Sequence, residues 1–229
     1  MAKTFVLGDI HGAYRALRQC FDRSGFDPEH DHLVFLGDVC DGWPETRESI
    51  DALRVVKNLT CLLGNHDQMA LPWMIRGEIT DHWRSQGGDA TMMSYRAGIP
   101  PGHIRFLETA KPYAIIEDRC YVHAGIDPDR PIAIQDLHTF LWDRNLARRA
   151  LEAYHTRATG NLTPYRETFI GHTPIPFGKP IEGGGVWLMD TGAGWSGVLS
   201  MMNVDSKEVF QSDPVPSLYP GIQGRDRKA

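Results

Sequence analysis

The strongest constraint on the fold is a pattern that occurs three times in the first third of the chain. Each copy joins a short apolar run, a glycine, a polar residue and a segment with helical spacing. The runs are Thr4 to Leu7 before Gly8-Asp9, Leu33 to Leu36 before Gly37-Asp38, and Leu59 to Leu63 before Gly64-Asn65. Apolar runs separated by helices are typical of parallel strands buried on both faces. The sequence therefore predicts an α/β fold.

The segments between these runs are predicted to be helices because their apolar residues recur three or four positions apart. They span Ala13 to Arg23 and Pro44 to Lys57, and a third helix is predicted from near His66 toward Arg76. Further strands are predicted at Tyr113 to Glu117, Cys120 to Val122, Thr168 to Ile170, Val186 to Met189 and Val198 to Val204. Thr173 to Gly185 is rich in proline and glycine and is predicted to be a loop.

The length of 229 residues, with 41% hydrophobic content, is enough for one substantial core. We therefore predict a single domain over residues 1–211, with a mostly helical insertion at about 77–109. Residues 212–229 are predicted to form a weakly packed C-terminal tail.

Composition excludes several classes of partner. The net charge of −5 argues against nucleic acid, since that affinity depends on many Lys and Arg contacts. The apolar runs are too short to cross a bilayer and the N-terminus lacks a signal-peptide pattern, so we expect no membrane association and a cytoplasmic location. The four cysteines form no C-x-x-C pair, which favours reduced thiols over a disulfide framework or a zinc-thiolate site.

Polar residues follow several predicted strands, and in an open parallel sheet such residues meet beyond the carboxyl ends. Taken singly, an Asp there can cap a helix and a His can be a surface or core residue. Their repetition favours a metal site. The segments are Gly8-Asp9-Ile10-His11-Gly12, Gly37-Asp38-Val39-Cys40-Asp41, Gly64-Asn65-His66-Asp67, Val122-His123-Ala124-Gly125, Gly171-His172-Thr173 and Asp190-Thr191-Gly192-Ala193.

In this order the segments resemble the phosphoprotein phosphatase family of binuclear metallophosphoesterases, most of all the bacterial and lambda-phage type of Ser/Thr protein phosphatase. The likeness spans Phe5 to about Met201. It includes His66-Asp67-Gln68-Met69, His82-Trp83 ahead of Gly87-Gly88, and Leu141-Trp142-Asp143-Arg144. The resemblance implies a four-layer α/β/β/α sandwich.

The resemblance also implies two divalent metal ions bridged by Asp38. Asp9, His11 and Asp38 would hold the first ion, and Asp38, Asn65, His123 and His172 the second. A bridging carboxylate suits two ions about 3.5–4 Å apart. Mixed imidazole, carboxylate and amide ligands suit Mn, Fe, Zn, Co or Ni better than Ca, and the family points first to Mn.

By the same resemblance, a hydroxide shared by the metals attacks the phosphorus directly, and His66 protonates the leaving oxygen as general acid. Asp41 would orient His66 and stabilise its imidazolium. Arg144 matches a phosphate-binding arginine of the family.

The pattern departs from the family directly after Asp41. Relatives usually carry Arg-Gly there, whereas this chain has Gly42 and Trp43. Arg144 would then bind the phosphate alone. Two interpretations of Trp43 remain open: packing in the core, or stacking on an aromatic leaving group. Asp190 has no clear ligand role and is expected to support the ligands.

Three functions are consistent with these residues. The leading one is hydrolysis of phosphomonoesters, with phosphoserine and phosphothreonine in proteins as substrates. The second is hydrolysis of a dinucleoside polyphosphate or another small phosphoester, which the missing arginine keeps open. The third, opposed by the intact ligands and His66, is a noncatalytic phosphate-binding module.

Overall fold

The side chains of the first strand alternate between two hydrophobic clusters, which lie on opposite faces of its sheet. In the computed structural model, which describes residues 2–225, β1 (Thr4–Leu7) contributes Phe5 and Leu7 to one hydrophobic cluster and Val6 to another. Successive side chains of a strand point to opposite faces. Both faces of β1 are therefore buried, as the continuous apolar run predicts.

The strands form two sheets of five. Their bounds are β1 (Thr4–Leu7), β2 (His32–Phe35), β3 (Asn58–Cys61), β4 (Tyr113–Ile116), β5 (Arg119–Val122), β6 (Glu167–Ile170), β7 (Ile181–Gly183), β8 (Val186–Leu188), β9 (Ser200–Asn203) and β10 (Val209–Gln211). The first sheet has the order β10-β9-β1-β2-β3, and the second β4-β5-β6-β8-β7. In the first sheet β1, β2 and β3 are parallel, and in the second β5, β6 and β8 are parallel. The remaining pairings are antiparallel, so both sheets are mixed.

Helices cover the outer face of each sheet. They are α1 (Tyr14–Ser24), α2 (Thr46–Arg54), α3 (Asn65–Arg76), α4 (Asp81–Trp83), α5 (Asp89–Ser94), α6 (Pro101–Glu108), α7 (Leu137–Trp142), α8 (Asn145–Thr156) and α9 (Val215–Leu218). In the part of the chain that the structure describes, no helix is both long and apolar enough to span a bilayer.

Three hydrophobic clusters define four layers. One cluster joins the first sheet to α1, α2, α3 and α6, and another joins the second sheet to α7 and α8. The third lies between the sheets and contains Val6 and Val34 from the first sheet with Tyr121 and Phe169 from the second. The layer order is therefore helices, sheet, sheet, helices, which confirms the predicted α/β/β/α sandwich.

One predicted loop contains a strand. Ile181–Gly183 pairs with β8 as a hairpin, although Thr173 to Gly185 was predicted to be irregular. Gly184 and Gly185 connect the two strands with φ values of 58° and 74°. A two-residue hairpin of this kind needs positive φ at both positions, which glycine adopts without strain. The consecutive glycines were the available signal.

The prediction of a weakly packed tail is wrong for residues 212–225. Val215 and Tyr219 are 0% and 1% exposed, and both belong to the cluster beneath α1 and α2. The Tyr219 hydroxyl donates to the Glu45 carboxylate and accepts a hydrogen bond from the Arg15 backbone N–H. Val215 and Tyr219 therefore anchor this segment in the core, while residues 226–229 of the predicted tail lie outside the described residues.

Replacing Phe169 by alanine should destabilise the protein by about 3–5 kcal/mol, the usual cost of emptying a buried aromatic site. Phe169 is fully buried between the sheets, and its ring stacks on Tyr121 with centroids 5.0 Å apart. Urea unfolding measures the loss. Phe177→Ala is the matched control because Phe177 is 36% exposed and should lose much less. Equal losses in the two variants would contradict the burial of Phe169 between the layers.

Candidate metal centre

Six buried polar side chains meet beyond the carboxyl ends of parallel strands from both sheets. Asp9, Asp38 and Asn65 follow β1, β2 and β3, whereas His123, His172 and Asp190 follow β5, β6 and β8. None of the six is more than 6% exposed. The two sheets therefore supply the two halves of one site, as the strand-end argument predicts.

The loops that carry these residues have unusual backbone conformations. His11, Asp38, Asp41 and His172 have φ values of 51°, 61°, 69° and 62°. Non-glycine residues are uncommon in this left-handed region, and such conformations concentrate at functional sites. Half of the eight non-glycine residues with positive φ among residues 2–225 therefore belong to the predicted site.

Backbone carbonyls orient two of the imidazoles. Nδ1 of His11 donates to the carbonyl oxygen of Cys40 at 3.0 Å, and Nδ1 of His123 donates to that of Leu36 at 2.9 Å. These bonds fix the tautomer of the neutral imidazoles, in which Nε2 is the nitrogen that can bind a metal ion. The two Nε2 atoms lie 3.7 and 3.4 Å from Oδ2 of Asp38. Asp38 therefore lies between the two histidines.

Asn65 connects the imidazole of His172 to the same cluster. Its Oδ1 lies 2.9 Å from both Nε2 of His123 and Nδ1 of His172. Two groups of side chains have ligand atoms close enough to hold a metal ion: His11, Asp38 and His66, and Asp38, His123 and His172. Asp38 is common to both groups.

Several ligand-type atoms at this site are buried and unpartnered among residues 2–225. They are Oδ1 of Asp9, Nε2 of His172 and Oδ2 of Asp190. Buried polar atoms are almost always hydrogen-bonded, and buried charges are normally paired or coordinate metals. Carboxylate and imidazole donors without partners fit divalent cations. The side chains present therefore suit a metal centre.

The charge balance explains the pKa shifts here. Burial and the nearby Asp190 charge raise the pKa of Asp9 well above its usual value, and burial raises the pKa of Asp190 to about 6. Burial also opposes ionisation of Asp38, but the positive charge of His123 and His66 lowers its pKa well below the usual value. The negative charge of Asp38 overcomes burial at His123, whose pKa rises to about 9. Asp38 is thus the anionic centre of the cluster.

His66 is held by a buried carboxylate. Its Nδ1 lies 2.8 Å from Oδ2 of Asp41, while Trp83 Nε1 and Thr91 Oγ1 donate to the same carboxylate at 3.0 and 2.8 Å. Burial raises the pKa of Asp41 and lowers that of His66 to about 3. The Trp83 and Thr91 donors favour the carboxylate form of Asp41. The arrangement therefore places Nδ1–H of His66 on Asp41 and leaves Nε2 available.

Asp67 fixes the loop that carries Asp38. Its carboxylate accepts four backbone N–H groups, from Asp38, Val39, Cys40 and Gly64, at 2.8–3.1 Å. Backbone donors of this kind stabilise a buried carboxylate. The β2 loop is thereby joined to the N-terminus of α3.

The structure places the predicted arginine and tryptophan differently around the site. Arg144 is exposed at the start of α8, and its positive charge, after burial and His123, contributes to lowering the pKa of His172 to about 2. Trp43 is 1% exposed; its Nε1 donates to the Ala193 carbonyl at 2.7 Å and its ring stacks on Tyr219. Of the two interpretations of Trp43, core packing is the observed one.

Sequence reasoning missed two groups that contact the site. Thr91 holds Asp41 from the segment after Gly88, and Arg225 reaches His11, with Nη1 3.3 Å from its Nε2. Thr91 belongs to no quoted motif, and Arg225 lies in the segment predicted to be a weakly packed tail. Neither position carries a local sequence signal, because only tertiary packing brings them to the strand ends.

A model of the calcineurin-like phosphoesterase family matches residues 2–190, most of the chain. The chain belongs to the calcineurin-like phosphoesterase family. This confirms the predicted family and the prediction of a metallophosphoesterase, a hydrolase whose family uses divalent metals.

The chain is similar to relatives with two different named activities. The chain is 28% identical to serine/threonine-protein phosphatase 1 of Salmonella typhimurium strain LT2, over 87% of this chain and 91% of the relative. It is also 28% identical to the symmetrical bis(5'-nucleosyl)-tetraphosphatase of Pseudomonas fluorescens strain SBW25, over 95% of this chain and 98% of the relative. A crystal structure described provisionally as a diadenosine tetraphosphatase shares the fold, with a TM-score of 0.69, 17% identity and 93% coverage of both chains.

Replacing Asp67 by asparagine should lower the free energy of unfolding by about 1–3 kcal/mol, because an amide NH2 would face backbone N–H groups and leave them unsatisfied. Urea unfolding of the protein in EDTA measures this without any metal contribution. Asp89→Asn is the control, since it removes only an exposed ion pair with Arg84. If Asp67→Asn were as stable as Asp89→Asn, the four hydrogen bonds would not fix the Asp38 loop.

Proposed function

We propose that this chain is a two-metal phosphomonoesterase whose main substrates are phosphoserine and phosphothreonine in proteins. The observation that carries the proposal is the meeting of buried, unpartnered ligand atoms with the His66–Asp41 pair at one sheet edge. Ligand atoms alone would suit a structural metal. An imidazole held by a carboxylate beside them adds a group that can transfer a proton.

The proposed ligands are those of the sequence prediction. Asp9, His11 and Asp38 would hold one divalent ion, and Asp38, Asn65, His123 and His172 would hold the other, with Mn the first candidate. When bound, two such ions would lower the pKa of a water between them and neutralise charge on phosphate oxygens. The position of Asp38 Oδ2 within 4 Å of both His11 and His123 supports its bridging role.

His66 is proposed to protonate the leaving oxygen through Nε2. Its Nδ1–H donates to Asp41, whose carboxylate stabilises the imidazolium form. Burial disfavours that form, and the negative charge of an arriving phosphate offsets part of this cost. Arg144, exposed beside His172, is proposed to bind the phosphate with its planar fork of N–H donors.

The alignments support a protein phosphatase over a dinucleotide hydrolase. The Salmonella phosphatase aligns over 208 positions for 87% of this chain, whereas the Pseudomonas tetraphosphatase needs 284 positions for 95%. The tetraphosphatase therefore carries many residues that have no counterpart here. Extra segments are a common source of contacts to a larger substrate.

One observation favours the second candidate, a dinucleoside polyphosphate. The half-buried rings of Trp142 and Trp195 lie 6.1 Å from those of His172 and His11, on the two sides of the cluster. Indole rings stack on nucleobases. Trp43, by contrast, is enclosed in the core.

A cytoplasmic location and the absence of a nucleic-acid partner stay predictions.

The Mn-loaded protein should release inorganic phosphate from a phosphoserine peptide with higher kcat/KM than it cleaves diadenosine tetraphosphate. The products separate the two reactions, because symmetrical cleavage yields two nucleoside diphosphates and no inorganic phosphate. Chromatography of the nucleotides and a phosphate assay read both arms. Faster formation of ADP would establish the second candidate, and no turnover of either substrate would indicate a phosphate-binding module.

Replacing His66 by asparagine should lower kcat by about 10²–10⁴-fold, the usual contribution of general acid catalysis, with metal content unchanged. Metal analysis of the purified variants is decisive here, since His66 also lies within ligand distance of His11 and Asp38. Asp38→Asn is the contrasting variant and should lose both ions. If His66→Asn lost an ion as well, His66 would be a ligand and not the acid.

A further inference from the structure

The C-terminal segment enters the site through a slot lined by two glycines. A Cβ atom added at Gly42 or at Gly87 would lie 3.2 Å from Cγ of Arg225. The two glycines have φ values of 115° and 105°, and Gly42 N–H donates to the Gly87 carbonyl at 3.4 Å. Side chains at both positions would be strained and would crowd Arg225. Because position 42 has no side chain, the aliphatic part of Arg225 can occupy the space beside it.

The guanidinium of Arg225 is fixed by contacts on several sides. Its carbon lies 4.4 Å above the Trp195 ring, Nη2 donates to Oε1 of Gln86 at 3.1 Å, and Nη1 lies 3.3 Å from Nε2 of His11. The backbone N–H of Arg225 donates to the Gly194 carbonyl at 3.0 Å. Arginine stacked on an aromatic ring loses less freedom when it binds an anion. The side chain is therefore preorganised and aimed at the cluster.

The approach of the segment is fixed by the core. Gly224 lies against Trp43, where an added Cβ would come within 2.6 Å of Cζ2, and Trp43 stacks on Tyr219 with centroids 5.1 Å apart. Ile222 N–H donates to the Tyr219 carbonyl at 3.1 Å. The route from α9 to Arg225 is thus held against the same tryptophan that follows Gly42 in sequence.

Arg225 lies among several negatively charged side chains of the site. The carboxylates of Asp38, Asp41, Asp190 and Asp9 all act electrostatically on Arg225. Yet among residues 2–225 no carboxylate oxygen lies within 4 Å of its guanidinium nitrogens. Arg225 is half-buried and its guanidinium has five N–H donors, so an anion would satisfy donors that water reaches only in part. If two divalent ions are bound nearby, they repel the guanidinium, and an anion between the ions and Arg225 would offset this repulsion.

We propose that Arg225 is a phosphate-binding residue of this site, supplied by the C-terminal segment in place of the arginine that relatives carry at position 42. The inference rests on the proposed phosphoesterase function. Its guanidinium donates hydrogen bonds to the phosphate oxygens from the side of Trp195 and His11, and Arg144 contacts the phosphate from the α8 side. Charge-assisted bonds from a planar fork suit the non-bridging oxygens of a phosphate.

Replacing Arg225 by glutamine should weaken binding of inorganic phosphate to the Mn-loaded protein by about 10–100-fold, the expected loss of charged hydrogen bonds. Calorimetric titration measures this at equilibrium. KM for a phosphopeptide should rise by a similar factor, while metal content and thermal stability stay those of the parent. Arg225→Lys, which keeps the charge and the stem, should recover part of the affinity.

Arg76→Gln is the matched control because it removes the same charge from an exposed pair with Glu78 and should leave phosphate binding unchanged. Unaltered phosphate affinity in Arg225→Gln, a parent that binds no phosphate, or a rise in kcat/KM would overturn the proposal, the last by identifying the segment as an inhibitor. If the parent binds phosphate through Arg225 but hydrolyses nothing, the proposed function fails and this inference stands.

Discussion

The burial of negative charge at one edge of the sandwich constrains the rest of this structure. Asp9, Asp38, Asp41, Asp67 and Asp190 are each no more than 2% exposed and lie within one cluster. Buried carboxylates are costly unless they are hydrogen-bonded or neutralised. Asp67 meets this requirement with four backbone N–H groups and Asp41 with Trp83, Thr91 and His66. Asp9 and Asp190 keep unpartnered oxygens, whose charge divalent cations of the kind that this family uses would neutralise.

The same constraint explains why the two sheets must pack in one register. His172 N–H, from the second sheet, donates to Oδ2 of Asp9 in the first at 3.0 Å, and His123 Nδ1 donates to the Leu36 carbonyl at 2.9 Å. A Cβ at Gly171 would come within 2.1 Å of the Asp9 carboxylate. These contacts allow little sliding between layers. The hydrophobic cluster around Phe169 therefore positions the proposed ligands as well as stabilising the fold.

Much of this arrangement could be predicted from sequence because it is encoded locally. An apolar run followed by Gly-Asp specifies both a buried strand and the residue at its end, so Asp9 and Asp38 could be assigned without a structure. Features that depend on distant contacts could not. β10 forms only by pairing with β9, Thr91 reaches Asp41 across fifty positions, and the burial of Tyr219 requires Trp43 and α1. Gly42 signalled a missing arginine but not where another one would come from.

The origin of Arg225 changes what phosphate binding depends on. An arginine at position 42 would belong to the loop that Asp67 fixes, and its order would follow from the site itself. Arg225 instead belongs to a segment held by Trp43, Tyr219 and the Gly194 carbonyl. Residues 220–223 of this segment are exposed, and exposed segments with few buried contacts open more readily than core strands. Each opening would remove a positive charge from the site and the contact with His11, while the strands that carry the proposed metal ligands stay in place. Phosphate affinity is then limited by the free energy of docking this segment, so packing around Trp43, remote from the reacting atoms, contributes to substrate binding.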